Sequence, residues 1–460
     1  MSDERIRAAV DRVLPEVMRD LEDLVRIPSV SADPGRFGQV RRSAAATAQL
    51  LTDAGFPDVQ TLTADGGQPA VVARLPAPHG APTVLLYAHH DVQPEGAAAD
   101  WLSEPFTPTR RGERLYGRGA ADDKAGIAAH LAAVRAFEGQ PPVGVTVFVE
   151  GEEEVGSPTL AAFLAEYAEL LAADVIVIAD SGNWAVGKPA LTTSLRGLAD
   201  AVVEVRTLQH AVHSGMFGGP VPDALTCLCR LLASLHDDAG NVAVAGLRSG
   251  TVSDLDYPLD RFRAESGLVD GVELIGTGSV VERLWSRPAL SVLAIDAPRV
   301  DDASNTLVPV ASAKVSLRVP PGNDATAALT ALTAHLEAHA PWGARVSVTP
   351  GHTGQPFAVN ASGPAYDAAR SAFRDAWDGE EPVDIGVGGS IPFIAAFAEA
   401  FPDAAILVTG VEDPDTRAHG ANEGLHLADF ERVCLAEALL LDRLASADGP
   451  GGGSPSIRPR

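Results

Sequence analysis

Three apolar runs constrain the fold more than any other feature: "TVLLYAH" at 83–89, "VGVTVFVE" at 143–150 and "DVIVIAD" at 174–180. Each has strand length and is too continuously apolar to face water on one side. Two stretches with helical spacing, "DKAGIAAHLAAVRAF" and "TLAAFLAEYAELLA", lie between them. Apolar strands alternating with amphipathic helices predict a mainly parallel sheet covered on both faces. Two helices are predicted ahead of it, over residues 4–26 and 38–55. Beyond about residue 190 the order becomes β-α-β-β-α-β, with helices near 222–236 and 324–339, which is the split βαβ arrangement of a compact ferredoxin-like α+β domain. The first pattern then resumes, with a helix at 363–377, the strand "AAILVTG" and a last helix at 427–445. The predicted class is α/β: one mainly parallel-sheet domain in two parts, 1–190 and 353–445, interrupted by a smaller α+β domain at 191–352. The Gly/Pro/Ser-rich stretch 446–460 is expected to be a disordered tail.

A formal charge of −26 argues against nucleic acid or an anionic membrane as partner, because a phosphate surface repels it. Cys227, Cys229 and Cys434 provide no disulfide framework. Cys227 and Cys229 sit two apart in "ALTCLCRLLASL", where helix geometry keeps them from facing each other, so core packing is the better reading than a metal pair. The N-terminal "MSDERIRAAV" has no signal-peptide apolar segment and no run is long enough to span a bilayer, which predicts a cytoplasmic protein.

In open α/β sheets ligands bind outside the carboxyl ends of the strands. Here four strands end in groups able to hold a metal. After the first, His89 and Asp91 share one face of an extended chain and His90 points away. That pairing suits a metal-ligand histidine oriented by a carboxylate. Glu152, Glu153 and Glu154 follow the second strand, Asp180 ends the third, and "AAILVTGVEDPDTRAHGANE" leads to His419 and Glu423. Asp122 and Asp123, in "RGAADDK", open a helix, where capping alone would account for them. Their shared edge is what makes these residues a site. Nitrogen and oxygen donors without thiolates suit zinc, manganese or cobalt. Two histidines and at least three carboxylates exceed the needs of one tetrahedral ion and fit two ions with a bridging carboxylate and a hydroxide between them. The residues alone leave open which of the three glutamates binds metal.

The segments "YAHHDVQP", "YGRGAADDKAG", "EGEEEVGS", "HSGMFGG", "GGSIP" and "AHGANEG" occur in the order found in dinuclear zinc peptidases. From about residue 24 to 445 the chain resembles the aminoacylase, carboxypeptidase G and carnosinase family, most of all its dipeptidase branch. The resemblance implies two divalent ions, Zn2+ foremost and Mn2+ or Co2+ as substitutes. His89 and Asp180 would hold the first, Glu154 and His419 the second, with Asp122 bridging and Asp91 orienting His89. The "VGS" after the glutamates places Glu153 on the general base and leaves Glu152 a bystander. His213 matches a histidine that reaches the partner subunit's active site, which implies a homodimer formed through a lid and dimerisation domain. Arg318, Gly389 and Ser390 match groups that meet the substrate's carboxylate, and Asn305 and Thr306 match a second contact across subunits. Ala88 and Ala125 depart from the family's usual glycines, and Asp223 from a common asparagine.

The expected function is metal-dependent hydrolysis of the peptide bond in dipeptides or very short peptides. An N-acyl-amino-acid amidohydrolase or carboxypeptidase would use the same centre. A non-catalytic metal-binding protein would be expected to lack Glu153, which is present.

Overall fold

The computed structural model describes residues 1–251, 253–389 and 392–446. Two compact units divide the chain: Met1–Thr193, Val359–Ile385 and Ala396 onward form the first, and Ser194–Ala358 with Gly386–Ala395 the second.

In the first unit the central sheet runs in the order Asp58–Leu62, Ala70–Leu75, Gly144–Glu150, Thr83–His89, Val175–Ile178, Ala405–Val408, Ala190–Leu195. Its four middle strands, from Gly144–Glu150 to Ala405–Val408, are parallel, as a sheet buried on both faces demands. The flanking strands Asp58–Leu62, Ala70–Leu75 and Ala190–Leu195 pair antiparallel, and none of the three is foreseen from the sequence. Helices Asp3–Val25 and Phe37–Asp53 match the two expected at the start. Helix Lys124–Ala136 is not amphipathic in its surroundings: every residue except Arg135 is buried. It is sandwiched between strand Thr83–His89 and the outer helices Asp3–Val25 and Leu427–Leu444, so it presents no face to water. A small antiparallel sheet of Thr109–Arg111, Arg114–Tyr116 and Gly424–His426 joins distant parts of the chain.

The second unit is built on a four-stranded antiparallel sheet, ordered Ala289–Asp296, Val310–Val319, Gly197–Arg206, Arg345–Gly354. Alternation decides its faces: Ala199, Ala201, Val203 and Val205 are buried, while Val202 between them is exposed. Helices Ala224–Ala233 and Ala325–Ala338 supply Leu228, Leu231, Leu332 and Leu336 to the same core. Cys227 is buried in it and Cys229 is exposed, as the spacing of two on a helix requires, so only the first packs inside. Among the described residues no helix is long and apolar enough to cross a membrane. The expected tail from 447 lies outside the described residues.

Candidate metal centre

The parallel strands of the first unit deliver their ends to one edge. His89 is the last residue of its strand and is fully buried. Its Nδ1 lies 3.0 Å from the Asp91 carbonyl oxygen and 3.4 Å from Asp91 Oδ1. Its Nε2 lies 3.1 Å from Asp122 Oδ1, 3.8 Å from Asp180 Oδ1 and 4.0 Å from Glu153 Oε2. The other oxygen of Asp122, Oδ2, is 3.1 Å from His419 Nε2, and Glu154 Oε2 is 3.3 Å from the same nitrogen. One carboxylate thus stands between two imidazoles and turns one oxygen to each, the disposition a bridging ligand needs.

The three consecutive glutamates separate by their partners. Glu152 turns away and accepts N–H bonds from Gln68 and Thr159, both at 2.9 Å, as well as the Thr159 hydroxyl. Glu153 and Glu154 are tethered through their backbone: their N–H groups donate to Asp91 Oδ1 at 3.2 Å and Oδ2 at 3.1 Å. Glu154 also accepts from the backbone and side chain of Gln93, at 2.9 and 2.8 Å. Asp91 therefore faces His89 and at the same time fixes where the two glutamates begin.

The remaining acids sort likewise. Asp123 caps helix Lys124–Ala136, accepting from Gly126 N–H, and also accepts the His89 N–H; both contacts are 3.2 Å. It still lies near enough to His89 and Asp180 to make a possible donor triad. Glu423 is fully buried but faces Arg118 and backbone N–H groups rather than the imidazoles. Glu412, passed over in the sequence, is pushed up well above the usual carboxylate range, by burial first and then by Asp122 and Asp180.

Electrostatics test whether cations fit. Burial, reinforced by Asp180, pushes the Glu153 carboxyl up, and burial lifts Asp180 to about 7. Among the described residues Asp122, Glu153, Glu154 and Asp180 pair with histidine only, never with lysine or arginine. Clustered carboxylates with only two histidines to offset them are costly in a low-dielectric site, and bound divalent ions remove that cost. Imidazole nitrogens and carboxylate oxygens are the donors such ions take, and they fall into two overlapping groups, one around Asp180 and one around Glu154. The residues fit.

The remaining predicted residues lie in the second unit. His213 is exposed; its Nδ1 accepts the Gly215 N–H at 3.0 Å, and its strand pairs His213 with Thr306. Ser214 N–H donates to the Asn305 carbonyl at 2.9 Å, so His213, Asn305 and Thr306 share one short ribbon. Arg318 sits in strand Val310–Val319, half-buried, with no acidic partner among the described residues. Arg196, just ahead of strand Gly197–Arg206, is a basic group that motif reading missed. Burial, with Arg318 nearby, lowers it to about 10, and it donates to the carbonyls of Gly388 and Arg283, both at 3.2 Å. Gly389 is half-buried beside that contact, and Ser390 lies outside the described residues.

The family model of Peptidase family M20/M25/M40 matches residues 85–443. Over 92% of its length the chain is 35% identical to the Cysteinylglycine-S-conjugate dipeptidase of Corynebacterium striatum, covering 94% of that protein. It is 30% identical to the human Beta-Ala-His dipeptidase, with 92% of this chain and 89% of the relative aligned. Among solved structures, human carnosine dipeptidase 1 superposes with a TM-score of 0.81 at 27% identity, over 97% of this chain and 99% of that one. The Saccharomyces cerevisiae di-peptidase Dug1p gives 0.82 at 24% identity over the same shares, a likeness of fold. With its metal-binding edge and these relatives, the chain belongs to peptidase family M20/M25/M40, a family of divalent-metal hydrolases.

Proposed function

We propose that this enzyme hydrolyses the peptide bond of dipeptides with two divalent ions, zinc foremost, held by His89, Asp122, Asp180, Glu154 and His419. The observation that carries the reading is Asp122, whose two oxygens stand 3.1 Å from His89 and 3.1 Å from His419. Ions bound there supply Lewis acidity and lower the pKa of water towards neutrality. Glu153 takes the proton of the attacking water and delivers it to the leaving amine. Asp91 holds His89 in one tautomer and Glu153 in place.

Arg318, supported by Arg196 and the Gly388–Gly389 backbone, receives the substrate's carboxylate: two guanidinium groups without an acidic partner among the described residues favour an anion. His213 donates to the developing oxyanion of a second copy's substrate, with Asn305 and Thr306 beside it. The second unit thereby acts as lid and dimerisation domain. Its edge strand Ala289–Asp296, which exposes Val292, Leu293 and Ile295, is the surface a second copy covers.

The test strips the protein with chelator, restores zinc or manganese, and measures amino-acid release from free dipeptides and from N-acyl amino acids. Cysteinylglycine S-conjugates come first, since a 35% identical relative is named for them. Metal-dependent cleavage of dipeptides is expected. Cleavage of the acylated compounds alone would move the substrate class to amidohydrolysis, and no cleavage with two ions bound would refute a hydrolytic centre.

A further inference from the structure

Arg118 and Glu423 form a buried ion pair, 2.8 Å long, with side chains 1% and 0% exposed. Among the described residues neither makes a hydrogen bond to the side chains of Asp122, Glu154, Asp180, His89 or His419. Glu423 accepts three more bonds, all from the loop that carries the bridging aspartate: Gly119 N–H at 2.9 Å, Ala121 N–H at 2.9 Å and Asp122 N–H at 3.1 Å. Arg118 reaches the other way, donating to the Gly420 carbonyl at 3.0 Å and the Pro94 carbonyl at 3.4 Å. Gly420 and Glu423 bracket His419 on its C-terminal side.

That bracket matters because of what it holds. Arg417, His419 and Asn422 have φ of 59°, 62° and 62°, the left-handed region that side chains other than glycine rarely adopt. Three such residues within six positions persist only where their surroundings impose them. His419 is itself 61% exposed and has little packing of its own. The constraint comes from below, from the pairing of Gly424–His426 with Arg114–Tyr116, and from Glu423 and Arg118 directly under the loop. His89 needs no such device, because it ends a central strand.

We infer that the Arg118–Glu423 pair is a positioning device that locks the His419 loop to the Asp122 loop and so sets, above all, the affinity of the ion shared by Glu154 and His419, both of whose loop-borne ligands it ties down, while the ion at His89 and Asp180 depends on it only through Asp122. The inference rests on the two-ion reading above. Partners that orient metal ligands are worth about 10–100-fold in affinity.

The test is zinc titration of the chelator-stripped full chain by calorimetry, with metal content by mass spectrometry, on wild type, Arg118→Lys, Glu423→Ala, His419→Ala and the double variant Glu423→Ala/His419→Ala. Expected are two ions in wild type and a weakening of one of them by about 10–100-fold in Glu423→Ala. Arg118→Lys, which keeps the charge but not the fork to Gly420 and Pro94, should fall between. The double variant should hold the ion at Glu154 no worse than His419→Ala alone, because for that ion Glu423 acts chiefly through His419. Two ions at wild-type affinity in both Arg118→Lys and Glu423→Ala, or equal weakening of both ions, would overturn the inference. A wild-type chain that takes fewer than two ions would overturn the two-ion reading itself. Should Glu423→Ala not fold, as circular dichroism of the stripped protein reports, Arg118→Lys decides alone.

Discussion

At the scale of single residues, Asp91 and Glu153 can be told apart by what their loss removes. Asp91 accepts the N–H groups of Glu153 and Glu154 and faces His89, so it holds one ligand, the start of another and the proposed base together. Among the described residues the Glu153 carboxylate makes no hydrogen bond, and its Oε2 lies 4.0 Å from His89 Nε2. Glu153→Ala is therefore expected to bind two ions and lose about 10²–10⁴-fold in kcat, the usual worth of a positioned acid–base group. Asp91→Ala should lose metal affinity as well as turnover. Metal content and kcat measured on the same preparations separate the two, and a Glu153→Ala enzyme at wild-type rate would remove Glu153 from the base position. Legibility at this scale was uneven for a physical reason. Strand ends and a helix start bring His89, Asp122, Asp180 and the run of glutamates into view, but the choice of Glu154 and the bridging role of Asp122 came only from the resemblance. Glu423 was given no role, because whether an acid faces an ion or a row of N–H groups depends here on an ion pair with Arg118, 305 residues away in sequence.

Among the elements, helix Lys124–Ala136 carries the most weight, since it bears Asp123 as its cap and is buried all round. Within it His130 is fully buried, 2.8 Å from Glu437 on helix Leu427–Leu444 and 3.1 Å from the Tyr87 carbonyl on the His89 strand. Both neighbours accept, so the imidazole holds a proton on each nitrogen. Burial opposes that charge, but Glu437 outweighs it and the histidine's pKa is raised. A raised histidine stabilises the fold fully below its unfolded value of about 6.5, and that contribution disappears as pH rises through the folded value. The Tm difference between wild type and Glu437→Gln should accordingly be widest near pH 6 and shrink on going alkaline; a gap constant with pH would mean that the pair is not ionised. Removing the carboxylate outright, in Glu437→Ala, should cost about 3–5 kcal/mol at that pH. The central strands and this helix were legible because they are apolar and long. Asp58–Leu62 and Ala70–Leu75 were not: the first has no buried residue and the second carries Arg74, so they form by pairing with an edge rather than by their own pattern.

For the whole molecule, the question is whether one chain suffices. His213 is exposed, spends its Nδ1 on Gly215 and leaves Nε2 without a hydrogen bond among the described residues. Met216 and Phe217, 74% and 46% exposed, follow it, and strand Ala289–Asp296 offers an unpaired edge with three exposed apolar side chains, Val292, Leu293 and Ile295. An isolated chain would carry these as an aggregation hazard; a symmetric dimer covers the edge and gives His213 a task. Complementation decides it. Glu153→Ala and His213→Ala homodimers should each be nearly inactive. Mixed and allowed to exchange subunits, half of the dimers become mixed, and each mixed dimer pairs one intact Glu153 with an intact His213 from its neighbour. Activity should then return to about a quarter of wild type, because one site in two works in half of the dimers. A mixture that stays inactive after exchange, verified by mass spectrometry of tagged subunits, would place His213 in the service of its own chain. A Leu293→Lys variant, sedimenting as a monomer, should show the same loss as His213→Ala while still binding metal, since the metal centre is built entirely within the first unit.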